Sequence, residues 1–225
     1  MTSTVPNNRN LKLILFFLLS GFVLSQAYRT LGGILSVPLR EEFSLDNHQL
    51  ASIVGSFHIA FGCLQLLVGI FVDCFGIRKT ILAISPFTIL GAVLSATATS
   101  PDALQILLGI GCAPAFLVCM VLIAKHFPAK DFAPMYALAL GTGSLGLIFT
   151  STPTAWISEA YGWRTCFYLL AIASAISWVV IFASVRNIDQ HVQEGRTSLK
   201  EKFQMVYKAM LEYKDLLVIK ATPGI

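Results

Sequence analysis

Charge is scarce in this sequence. Only 12% of its 225 residues are Asp, Glu, Lys or Arg, against about a quarter in an ordinary soluble domain. Meanwhile 56% are hydrophobic, more than one soluble core of this length can bury while leaving polar cover outside. A water-facing globule is excluded, and lipid must be the solvent for much of the surface. Metal-ligating patterns are also missing. There are five cysteines and four histidines, but no C-x-x-C and no His-x-x-x-His. Cys63, Cys74, Cys112, Cys119 and Cys166 fall mostly inside apolar runs, where small polarizable packing residues belong. No Gly-x-Ser-Gly and no Ser/His/Asp set at a shared depth occurs, so nothing supports an enzyme, a metal or a cofactor. The net charge of +4 is spread along the edges of apolar runs and calls for no nucleic-acid partner. No cleaved leader is expected: the apolar stretch from Leu11 outruns a signal peptide's apolar core of about 7–15 residues.

What the chain does have is long apolar runs. A helix needs about 20 mainly apolar residues to cross a bilayer, and six stretches qualify, near 11–37, 49–72, 80–99, 103–124, 134–157 and 165–185. The expected fold class is all-α integral membrane. Residues 1–10 form a tail, 11–185 a six-helix bundle, 186–215 a charged amphipathic segment with apolar positions at helical spacing, and 216–225 the start of a seventh span cut short. Ser44 or Asp46 is the expected N-cap of the second span. With both termini inside, thirteen Lys and Arg lie in inner segments and two, Arg40 and Arg164, in outer loops. This positive-inside bias predicts cytoplasmic termini in a cell (inner) membrane.

Two loops say nearly the same thing. GIFVDCFGIRK (69–79) follows the second span, and AWISEAYGWR (155–164) follows the fifth. They align at an offset of 86, which also superposes Gly55 on Gly141. Three spans is an odd number, so the two loops lie on opposite faces. A three-span unit repeated upside down, a 3+3 inverted repeat, is the arrangement this predicts.

Gly69-x-x-x-Asp73-x-x-Gly76-x-Arg78-Lys79 between the second and third spans resembles the signature loop of the major facilitator superfamily. Gly-Trp-Arg at 162–164 is similar to that superfamily's five–six loop, and YRTLGGILSVP with LDNHQLASIVGSFHIAFG resembles the opening of its bacterial permeases. The resemblance covers about residues 11–220 and implies the N-terminal half of a twelve-span transporter. It also implies that Gly69, Asp73, Gly76, Arg78 and Lys79 form a gating latch on the cytoplasmic side, partly against the second half. One departure is Gln105, four residues before Gly109, where the family often has an arginine; the proton-coupling role given to that arginine does not carry over.

Arg29 is the sharpest single residue. It falls inside the first span, roughly a third of the way from the outer face, and a charge at that depth costs about 2.5 kcal/mol or more on insertion scales. No acid lies within any predicted span. An anionic substrate group is one partner for Arg29; snorkelling outward or bonding to helix carbonyls is the other. Ser25, Gln26, Gly32, Gly33 and Ser36 share its helical sector as one polar stripe. His58 and Gln65, seven apart, share a face of the second span, where His58 is read either as a cavity residue or as a packing residue; Gly55, Gly62 and Gly69 make an adjacent stripe. Gln105 and Tyr136 are weaker candidates. GTGSLG (141–146) matches a dinucleotide fingerprint, but it sits inside an apolar span without the strand or the distant acid that the fingerprint needs.

Substrate binding is therefore assigned to Gln26, Arg29, His58 and Gln65, in a permease for a small, anionic organic solute working by alternating access. A single six-span bundle cannot rock against itself, so the expected partners are the bilayer, the substrate and either a second copy (homodimer) or a separate C-terminal half. The alternative is a truncated, non-transporting membrane protein or a membrane binding or assembly module.

Overall fold

The structure is a computed structural model that describes residues 8–98 and 104–185, together with Gln204. The expected tail, amphipathic segment and apolar end lie largely or wholly outside the described residues.

Apolar length dictates six membrane-spanning helical runs: Leu11–Ile34, Asn47–Phe75, Ile77–Thr97, Gln105–His126, Ala129–Tyr161 and Trp163–Ser184. They are numbered spans one to six. The all-α, multi-pass membrane class expected from composition is what the described residues form. In chain order the helices are α1 (Asn8–Ile34), α2 (Ser36–Phe43), α3 (Asn47–Phe75), α4 (Ile77–Ile84), α5 (Pro86–Thr97), α6 (Leu104–Cys112), α7 (Pro114–His126), α8 (Ala129–Tyr161) and α9 (Trp163–Ser184).

Prolines explain most of the interruptions. Pro86 and Pro114 sit at the first positions of α5 and α7, where a missing N–H is tolerated, and divide spans three and four in two. The carbonyl four residues before Pro86 belongs to Leu82, and Trp178 of span six donates its indole N–H to it at 3.3 Å. An orphaned carbonyl inside a bilayer would otherwise cost several kcal/mol. At the start of span two the cap is Asp46. Its carboxylate accepts from the Gln49 backbone N–H at 2.7 Å while the Gln49 side chain accepts from Asp46 N–H at 3.0 Å, a reciprocal capping box. Ser44 instead ends α2 in a left-handed conformation, φ 52°.

Gly76 and Gly162 terminate α3 and α8 in the same unusual backbone state, φ 87° and 85°. Each also donates its N–H to the carbonyl four residues back, Val72 and Ser158. Only glycine takes this conformation without strain, so the chain reverses sharply twice, 86 residues apart.

Packing follows one pattern throughout. Span one packs chiefly on span five and span two on span four, while spans three and six meet each other and, respectively, spans four and one. Exchanging the first three spans with the last three leaves this pattern unchanged. The tightest contacts correspond as well. A side chain at Gly109 would strike the Phe57 carbonyl and Ala60, while side chains at Gly143 and Gly146 would strike Phe22, Val23 and Gln26. At the offset of 86, Phe57 maps to 143, Ala60 to 146 and Val23 to 109. Span four is the most enclosed of the six; spans two and five are the least.

Candidate functional site

Each end of the bundle is tied by contacts between distant segments. At the Gly162 end, the Glu42 carboxylate accepts from Trp163 Nε1 at 2.5 Å and from Arg164 Nη1 at 2.6 Å. Arg164 also donates to the Ala98 carbonyl at 3.3 Å and stacks 4.4 Å over the Trp163 ring. Glu42 of α2 is thus tied to the start of span six, and Arg164 ties that start to the residue after span three. Its two charge-assisted donors, Trp163 first and Arg164 next, hold the Glu42 carboxyl below its usual range. A carboxyl lowered in the folded protein adds stability above its ordinary value and loses that contribution as pH falls through the lowered one. Glu42→Gln is accordingly expected to lower the melting temperature by about 1–3 °C at pH 7. Melts repeated at acid pH should converge; a gap that persists there would contradict the assignment.

At the opposite end lies the signature loop. Asp73 is exposed and meets Lys125 Nζ at 3.5 Å. Lys125 lies in the last turn of span four, outside the signature loop. The carboxylate lies at the C-terminal end of α3, where the helix dipole disfavours it, so a cation from a neighbouring helix is the expected remedy. Arg78 is half-buried with its guanidinium 5.7 Å from the Phe182 ring, Lys79 is exposed, and the Thr80 hydroxyl donates to the Gly76 carbonyl at 2.8 Å. Gly69 packs against Leu117.

Between these ends, one cleft brings together a cation and two amides. It has a volume of about 480 Å³ and is lined by Phe22, Gln26 and Arg29 of span one, Phe61, Gly62 and Gln65 of span two, Phe116 of span four and Leu140 of span five. Arg29 lies with its guanidinium carbon 4.5 Å from the Phe61 ring centre. Three of the four residues assigned to substrate binding, Gln26, Arg29 and Gln65, therefore converge. His58 does not line this cleft: it is exposed, with Nδ1 donating to the Val54 carbonyl at 3.1 Å. A second groove of about 510 Å³ runs between spans one, five and six, but its polar groups are only Ser20, Thr142 and Ser177.

The expected stripe around Arg29 divides. Ser25 is buried and donates to the Cys112 carbonyl at 3.2 Å, and Gly32 is buried against Val54. Only Gln26 and Arg29 of that sector reach the cleft. Tyr28 turns inward, its hydroxyl 3.2 Å from Ser174. Gln105 is buried among Leu39, Ile53, Ser95 and Trp163, away from the cleft. Tyr136 approaches the cleft's edge through Phe116, with ring centres 6.4 Å apart. Phe22, Phe61 and Phe116 were not legible as site residues, because one more aromatic in an apolar span carries no signal of its own. The five cysteines are all free thiols, and no cluster of potential metal ligands occurs among the described residues. The cleft can receive a small molecule on one cation, two amides and an aromatic wall.

Comparison with known proteins supplies the family. The chain is 28% identical over 173 residues to a probable sulfoacetate transporter of Cupriavidus necator, covering 76% of this chain and 40% of that protein. It is 25% identical over 196 residues to a probable galactarate/D-glucarate transporter of Bacillus subtilis, covering 83% and 43%. To a hexuronate transporter of the same organism it is 25% identical over 193 residues, covering 84% and 46%. The chain thus spans less than half the length of the curated relatives it matches. Residues 17–221 match the family profile of the Major Facilitator Superfamily, and with six apolar helices, the signature loop and a polar cleft between them, this chain belongs to that superfamily.

Proposed function

We propose that the chain forms one six-span half of a secondary transporter, a permease for small organic anions that works by alternating access. The observation that carries this reading is Arg29. It is a guanidinium held in a cleft between apolar helices, and the predicted spans contain no acid to neutralise it. A cation there needs a compensating charge, and a carboxylate or sulfonate entering from solution supplies one. Gln26 and Gln65 add amide donors and acceptors for the anion's remaining oxygens. The names of the relatives, for sulfoacetate, galactarate or D-glucarate, and hexuronate, all denote acids and support the same class.

His58 lies two turns from Gln65 on the same helix face, about 10 Å away. We assign it to the path leading to the cleft. Asp73, Arg78 and Lys79, with Gly76 shaping the turn and Gly69 packing on span four, form the gating latch at the cytoplasmic end. The orientation rests on the positive-inside bias, with both termini cytoplasmic in a cell (inner) membrane. A 3+3 inverted repeat is supported by the matched glycines, the matched helix contacts and the offset of 86. Alternating access needs a second six-span bundle related by an axis along the membrane normal. It is supplied by further chain, by a separate partner or by a second copy.

The test is ligand preference. In membranes containing this chain, sulfoacetate, D-glucarate and D-glucuronate should each bind saturably and compete with one another, whereas a neutral hexose should not compete. Equal competition by the neutral sugar would remove the anion assignment.

A further inference from the structure

We propose that Phe61 is a positioning residue: its ring holds the Arg29 guanidinium flat, so that the N–H edge points into the cleft and meets the anion two donors at a time. The proposal rests on the anion reading above and names the residue that sets its geometry.

A guanidinium over a ring is attracted by the ring's quadrupole, more strongly where water is thin. Stacking occupies the face of the plane and leaves the donors at its edge unused, which suits bidentate contact with a carboxylate or sulfonate. Arg29 lies 4.5 Å from the Phe61 centroid, and both residues line the same cleft. Phe61 is itself packed against a neighbouring ring. Phe57, one turn earlier on span two, stacks on it at 6.1 Å with 13° between planes. Phe57 is only 2% exposed, and its backbone is pressed by Gly109 of span four, where a Cβ would strike the Phe57 carbonyl. The series Gly109, Phe57, Phe61, Arg29 thus connects the most enclosed span to the cation in the cleft. An unstacked arginine on a helix in lipid would be free to reach toward the membrane surface.

The test uses the purified 225-residue chain in lipid nanodiscs. Binding of sulfoacetate, D-glucarate and D-glucuronate is measured for the native protein and for Phe61→Leu, Phe61→Met, Phe61→Tyr and Arg29→Ala, alongside melting curves. The ligand-free proteins are also treated with phenylglyoxal, and modification of the Arg29 peptide is timed by mass spectrometry. Phe61→Leu and Phe61→Met should weaken anion binding about tenfold and speed modification of Arg29, at melting temperatures close to the native one. Phe61→Tyr, which keeps the ring, should match the native protein in both. If Arg29→Ala loses binding while Phe61→Leu keeps it and Arg29 reacts no faster, the positioning role is overturned and the anion reading stands. If Arg29→Ala binds as the native protein does, the anion reading fails; the modification rates still decide whether the ring holds the guanidinium.

Discussion

Arg29→Ala is expected to weaken anion binding by at least about a hundredfold, with uptake falling in parallel. A hydrogen bond to a charged group contributes about 1.5–3 kcal/mol, and removing one partner of a desolvated pair costs roughly 3–5 kcal/mol. Each 1.4 kcal/mol is tenfold in affinity, so a loss of two orders of magnitude is the lower end of the range. The apolar walls of the cleft, Phe22, Phe61, Phe116 and Leu140, provide no second cation to take over. Arg29→Lys separates charge from shape. Lysine keeps the charge but has neither the planar fork nor its stack, so an intermediate loss of about tenfold is expected. Equilibrium binding and uptake of labelled sulfoacetate, side by side, check both variants. An alanine variant with native affinity would contradict the role given to Arg29.

The largest structural effect is expected at the helix crossings. A Cβ at Gly111 would strike the Thr88 backbone nitrogen and hydroxyl, and one at Gly109 would strike the Phe57 carbonyl. Backbone stands on both sides of these contacts, so no flexible side-chain tip can yield. Overpacking of this kind typically costs about 1–3 kcal/mol or more, and valine at either position adds still more volume. Gly109→Val and Gly111→Val are expected to lower the melting temperature of the solubilised chain by about 6 °C or more. Gly141 is the control. No heavy atom lies within 4 Å of a Cβ built there, so Gly141→Ala should melt within about 2 °C of the native chain. A native melt for Gly109→Val would mean that spans two and four do not cross as described. Gly109→Val should also weaken anion binding, because Phe57 and Phe61 stand between that glycine and Arg29.

The spans themselves were legible because lipid accepts only long apolar helices, and away from their ends the expected runs carry a single charge, Arg29. Ser44 and Asp46 both qualified as the cap of span two, and the pairing of Asp46 with Gln49 in the structure decides between them. Gly76 and Gly162 could be singled out because their neighbourhoods repeat. What sequence could not supply was the direction of each polar residue. Ser25 and Gln26 are adjacent, only about 100° apart around a helix, and the boundary between the bundle's interior and the cleft falls between them. Only the helices packed on either side decide that one hydroxyl bonds to Cys112 while the next amide enters the cleft. Contacts across long separations were equally hidden. Glu42 and Arg164 lie 122 residues apart, and Asp73 and Lys125 lie 52 apart; no local pattern joins either pair. Spans three and four were expected unbroken, yet they divide at Pro86 and Pro114, whereas α8 continues through Pro134 and Pro153.

The account depends on the two reversals at Gly76 and Gly162 standing at opposite faces of a membrane, with the anion cleft between them. The most direct measurement is sided labelling of single cysteines at Lys79 and Glu159, both exposed beside these reversals, in a chain whose native cysteines have been replaced. In intact cells an impermeant maleimide should label position 159 and spare position 79 until the membrane is opened. Labelling of both positions from the same side would contradict the topology, and with it the inverted pair of three-span units on which the transport proposal stands.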